Sequence, residues 1–161
     1  MKIIEPRYVW NGTLSKRTQP IYRIILHHAA ASHCSAVQVH SWHKARGWVG
    51  IGYHFFITKD GDIYRGRPID CIGAHAGGYN YDSIGICFEG NFENEVMQNA
   101  QEEAGRALVK SLTAQYKTIK LIQRHSDVNA TACPGKNFPF DYIAHGIVPN
   151  SDPKEEAVYG I

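Results

Sequence analysis

A chain of 161 residues is the size of one ordinary domain, long enough to bury a core without disulfide staples. With 43% apolar and 20% charged residues it reads as globular rather than disordered, and a net charge of only +2 gives no reason to expect a nucleic-acid partner. No run of about 18 apolar residues occurs, so no membrane insertion is expected; Met1–Arg7 lacks the apolar core of a signal peptide, so the expectation is either synthesis in the cytoplasm or export by a route the sequence does not show.

Tyr22 to Leu26 reads as a buried strand. Ser35 to Lys44 has helical spacing at Val37, His40 and Trp42, with Ser35 as N-cap, and Gly50 and Gly52 close this part of the chain. Tyr53 to Thr58 is a second strand, turned at Lys59-Asp60-Gly61-Asp62 into a returning strand at Ile63 to Arg65. Gly73 to Tyr81 is a loop, and Ser83 to Glu89 a further buried strand. Gln98 to Tyr116 is the strongest helix, with Ala104, Leu108, Leu112 and Tyr116 on one stripe. Ile119 to Gln123 is a short strand and Asp141 to His145 a short helix. Strands interleaved with helices, plus one hairpin, give an α/β fold: a mixed central sheet flanked by helices, in a single domain over 1–148 with a linker-like tail at 149–161.

The four cysteines, at 34, 71, 87 and 133, are scattered and read as free thiols. Nine histidines make a metal site worth seeking, and three places qualify by lying just after strands or in an adjoining turn. His27-His28 follows Leu26, His125 follows the strand ending at Gln123, and Cys133 precedes Pro134-Gly135. Strand alternation lets only one of His27 and His28 reach a shared ion. Taken singly, each has a plainer reading as a strand-end imidazole or a buried thiol.

Five segments in order carry a resemblance: Ile25-Leu26-His27-His28-Ala29-Ala30; Gly47 to Gly61 around Gly52-Tyr53-His54; Gly73-Ala74-His75 to Asn80; Ser83 to Phe92; and Arg124-His125-Ser126-Asp127 through Thr131-Ala132-Cys133-Pro134-Gly135. Together, from about Ile24 to Gly135, they resemble the type 2 N-acetylmuramoyl-L-alanine amidases, which include phage lysozyme-like amidases and animal peptidoglycan-recognition proteins. The resemblance implies zinc held by His27, His125 and Cys133, and catalytic roles for Tyr53 and Thr131. It implies hydrolysis of the amide between N-acetylmuramic acid and L-alanine in peptidoglycan, whose glycan strand and stem peptide would be the binding partner. His75 and Asn80 would line the substrate groove, with a turn role as the competing reading; Trp48 would stack on substrate or belong to the core. Asp127 would brace His125 or cap a turn. His33, His40, His43, His54 and His145 receive no role, and His54 is expected on the strand face opposite Tyr53.

Zinc chemistry suits the task, because the ion acidifies water and polarises a carbonyl. A phenol of ordinary pKa near 10 is a weak base at neutral pH, so Tyr53 is expected to orient and donate. Cys34 lacks the partner cysteine six residues away that animal relatives carry, and Cys133 and Cys87 stand where the muropeptide-recycling branch has aspartate and glutamate. The expectation is therefore a phage or prophage endolysin, with a bacterial lysis enzyme fitting equally well, most simply a monomer, made in the host bacterial cytoplasm and acting on the wall after release. A non-catalytic peptidoglycan-binding module, an amidase for a different amide, and a structural or regulatory protein without zinc are the rivals.

Overall fold

A computed structural model of the chain describes residues 1–149. In chain order the elements are β1 (Ile3–Ile4), β2 (Arg23–His28), α1 (Ala36–Ala45), β3 (Phe55–Ile57), β4 (Ile63–Arg65), β5 (Ser83–Phe88), α2 (Asn99–Gln115), β6 (Leu121–Arg124) and α3 (Phe140–His145). The six strands form one sheet in the order β1-β4-β3-β5-β2-β6. All neighbours run parallel except β3 and β4, which are the expected antiparallel hairpin. At its turn Gly61 takes φ +88 and its N–H reaches Thr58 O at 2.9 Å, a conformation that favours glycine. The mixed sheet with flanking helices matches the expected fold class. Of the expected tail at 149–161, all but Pro149 lies outside the described residues. Among the described residues no helix is long and apolar enough to cross a membrane.

Alternation along the strands sorts side chains onto two faces. Ile24, Leu26, Phe55, Ile57, Ile84, Ile86 and Phe88 join Leu108, Val109 and Leu112 of α2 and Ile143 and Ala144 of α3 in the larger core. Phe56 and Cys87 point the other way and pack with Ala36 and Val39 of α1 and with Ile51. His27 pairs with Cys87 in the β2–β5 register, and Ile25 pairs with Gly85, so His27 and Gly85 share the α1 face. His28 falls on the opposite face, where its Nδ1 accepts the Phe92 N–H at 3.1 Å.

Several details depart from the sequence expectations. β2 begins at Arg23 and continues through both histidines, with Tyr22 left 42% exposed outside it. β1 has two residues, too few for any periodic signal. In α1 the expected capping residue is right: Ser35 and Gln38 form a reciprocal capping box. The expected apolar face is not, since Val37 is 58% and Trp42 43% exposed, while Ala36, Val39, His40 and His43 are buried. The reason lies in the loop that follows. His40 Nδ1 accepts the Ile51 N–H and His43 Nδ1 accepts the Gly52 N–H, both at 2.9 Å, so these imidazoles satisfy buried backbone donors. On α2 the stripe holds at Leu108 and Leu112, while Ala104 and Tyr116 pack at its margin.

Candidate active site

Three of the sequence-selected side chains converge at the ends of parallel strands. One donor atom from each of His27, His125 and Cys133 lies within 4.8 Å of the other two. β2 delivers His27, nearly solvent-free at 1% exposure. β6 ends at Arg124 and the chain tightens into one 3-10 turn that carries His125. The loop bearing Cys133 is tied back to that turn by the Ser126 N–H donating to Cys133 O at 2.9 Å. Cys133 Sγ stands 3.7 Å from His27 Nδ1 and accepts the His28 N–H at 3.4 Å. His28, the other histidine of the strand-end pair, faces away, as alternation requires.

The electrostatics suit a cation. Burial, then the neighbouring His125, His28 and His43, holds the His27 imidazole well below its ordinary value. Burial also lowers His125, against the pull of its hydrogen bond to Asn129. Both rings are therefore neutral at physiological pH, the form that binds a metal. Burial pushes the Cys133 thiol up to about 12, with the His28 N–H working in the opposite direction. A cation brings such a sulfur to the thiolate. Two neutral imidazoles and one thiol in mutual reach are a donor set that could hold a metal ion.

Tyr53 enters from the segment before β3, its ring centroid 5.0 Å from that of His27. Burial, reinforced by Cys87 and Cys133, raises its phenol well above 10. Tyr53 and His54 do not fall on opposite sides of a strand as expected. β3 starts only at Phe55, and both rings flank His75, with centroids 6.4 and 5.9 Å away. Thr131 is exposed, and its Oγ1 accepts the Cys133 N–H at 3.2 Å, which leaves the hydroxyl proton free to donate.

The residues expected along a groove sit differently. His75 is buried, with ring nitrogens 2.8 Å from His27 Nε2 and 3.1 Å from Ser83 Oγ, so neither nitrogen is left for substrate. Asn80 takes the turn role at its carboxamide oxygen, which accepts the N–H groups of His75 and Ala76, each at 2.8 Å. Trp48 is half-buried against His43, centroids 4.6 Å apart, with the Arg46 guanidinium 5.5 Å over its ring. Asp127 caps its own turn by accepting the Arg124 N–H at 2.8 Å; the acceptor beside His125 Nε2 is Asn129 Oδ1 at 3.0 Å. The His75 and Asn129 contacts escaped the sequence reading. Asn129, four residues after His125, is the one signal that could have pointed to its partner.

The profile described as N-acetylmuramoyl-L-alanine amidase matches residues 17–136. The chain belongs to this amidase family. N-acetylmuramoyl-L-alanine amidase LysC from Clostridium intestinale URNW is 44% identical, superposes with a TM-score of 0.85, and shares 89% of this chain and 95% of its own. The endolysin of Enterobacteria phage T3 is 36% identical over 116 residues, 63% of this chain and 76% of that protein. Peptidoglycan-recognition protein SC1a/b of Drosophila simulans is 36% identical over 141 residues, 78% of this chain and 76% of its own length. The amidase is thus a hydrolase of the endolysin type, and its cysteines at 34, 71, 87 and 133 are all free.

Proposed function

We propose that this amidase is zinc-dependent and cuts bacterial peptidoglycan between the lactyl group of N-acetylmuramic acid and the first L-alanine of the stem peptide, so lysing the wall. The observation that carries the metal is a distance. With Zn–N of about 2.0–2.1 Å and Zn–S of about 2.3 Å, a tetrahedral angle sets N···S at roughly 3.6 Å. His27 Nδ1 and Cys133 Sγ are 3.7 Å apart before any ion is considered. His125 completes a three-residue set of the kind that leaves a fourth position for chemistry.

Bound there, zinc supplies Lewis acidity to the amide carbonyl and to water. The chain's own groups do the rest. Tyr53 keeps its proton, because burial drives the phenol away from ionisation, and it acts as a fixed hydrogen-bond donor beside His27. Thr131 is the second donor, its oxygen already engaged by the Cys133 backbone. Two donors fixed in advance at the oxygen where charge develops stabilise the transition state more than the substrate. Similarity to phage endolysins supports synthesis in a bacterial host followed by action on the wall.

Mass spectrometry of purified sacculi digested with the protein tests the bond assignment. The reading expects stem peptides with a free L-alanine amine and glycan strands with free lactyl carboxylates, abolished by a chelator and restored by zinc. Cleavage within the glycan or the peptide, or activity indifferent to chelation, contradicts it.

A further inference from the structure

Both imidazoles of the metal-site triad are backed by a neutral side chain, and both backings run through one loop. His27 turns Nδ1 toward Cys133 and sets Nε2 2.8 Å from His75 Nδ1. A nitrogen that binds a metal carries no proton, so the proton of neutral His27 sits on Nε2 and is donated to His75. His75 then carries its own proton on Nε2 and donates it to Ser83 Oγ at 3.1 Å. On the other side, His125 Nε2 donates to Asn129 Oδ1 at 3.0 Å, and Asn129 Nδ2 donates to Gly77 O at 3.1 Å. Asn80 pins the loop between by accepting two of its N–H groups.

The slot around His75 is cut to its ring. A Cβ on Gly85 would stand 2.6 Å from the imidazole, and one on Gly73 2.7 Å from it. Other buried imidazoles here also pair both ring nitrogens, as His40 and His54 do with backbone groups; His75 differs in that one of its partners is the very atom that sets a ligand's tautomer. We propose that His75 is a positioning residue that fixes the tautomer and ring plane of His27, that Asn129 does the same for His125, and that loop 75–80 holds the two together. This deepens the metal-site reading and rests on it. Neither acceptor is a carboxylate, so the only anionic group in the ligand set and its backing is the Cys133 thiolate.

The test is zinc affinity, measured by competition with a chromophoric chelator, on the full chain and on His75→Ala, His75→Gln, Asn129→Ala and Asn129→Asp. Cobalt absorption spectra and metal-free melting temperatures accompany it. His75→Ala and Asn129→Ala should each weaken zinc about 10- to 100-fold and alter the cobalt bands. Gln and Asp, which keep an acceptor, should recover most of the loss. Asn129 is half-buried in a loop, so its pair reads out the proposal even where a His75 variant fails to fold. Unchanged zinc affinity and cobalt bands in the Ala variants, with only melting lowered, overturn the proposal and leave the metal site standing. A wild-type chain that takes up no stoichiometric zinc overturns both.

Discussion

The sulfur of Cys133 lies 3.7 Å from Nδ1 of His27 across 106 residues of chain. Parallel strand β2 supplies one partner, and a loop tied to the end of β6 supplies the other. Replacing that sulfur by a hard hydroxyl tests the pair. Cys133→Ser should lose stoichiometric zinc and lower amidase turnover by about three orders of magnitude, since Lewis-acid assistance contributes several kcal/mol. Elemental analysis of the purified variant beside its turnover checks this; a variant that keeps both would show Cys133 to be only a buried thiol.

Tyr53→Phe removes one hydroxyl from a ring that still packs beside His27. Loss of a fixed donor to a developing oxyanion costs about 10²- to 10³-fold in kcat. Zinc content and melting temperature should stay near wild type. Steady-state kinetics on soluble muropeptide fragments separates this from a binding role, which would raise KM and spare kcat.

Gly85→Ala places a methyl group 2.6 Å from the His75 ring, inside the sheet where β2 and β5 pair. Overpacking of this kind costs about 1–3 kcal/mol, or roughly 2–12 °C in Tm for a domain of this size. Because the displaced ring is the one behind His27, zinc affinity should fall together with Tm. A Tm loss with unchanged affinity would detach His75 from the ligand.

Acid should unfold the metal-free protein early. His54 Nδ1 accepts the Gly85 N–H at 3.0 Å and its Nε2 donates to Cys71 O at 2.8 Å, so the fold holds the neutral ring. Burial, then the adjacent Arg17 guanidinium, brings its pKa down to about 3 from 6.5. The unfolded chain therefore binds a proton that the folded chain refuses between these values. Stability is complete above about 6.5 and falls as pH drops toward 3, with this one group contributing on the order of 3 kcal/mol by pH 4. His43, lowered to about 4 chiefly by burial, acts in the same direction. Denaturant midpoints of chelator-treated protein at pH 7.5, 5.5 and 4 should decline in that order; midpoints that hold level or rise would refute the neutral-ring assignment.

Strands β2 to β6, the hairpin turn and the long helix were legible because each has a local signal: an apolar run, an Asp-Gly pair, a stripe at four-residue steps; β1, with two residues, has none. The three converging donors were nominated by their places after strands or in an adjoining turn and singled out by five motifs in register, since no local spacing announces them. The histidines show why the rest was hidden. His28, His40, His43 and His54 all accept a backbone N–H at Nδ1, from Phe92, Ile51, Gly52 and Gly85. Hydropathy counts them as polar, yet all four are buried, because each meets a donor supplied by another part of the fold. The same blindness left His75 between a groove surface and a turn when read from sequence. Its partner lies 48 residues away, and nothing near position 75 records that contact.

Zinc K-edge absorption on the purified, metal-loaded chain tests the central claim most directly. One zinc per chain, with one sulfur at about 2.3 Å and two imidazole nitrogens at about 2.0–2.1 Å, is the predicted shell. A shell built only of nitrogen and oxygen, or no bound zinc, would contradict it.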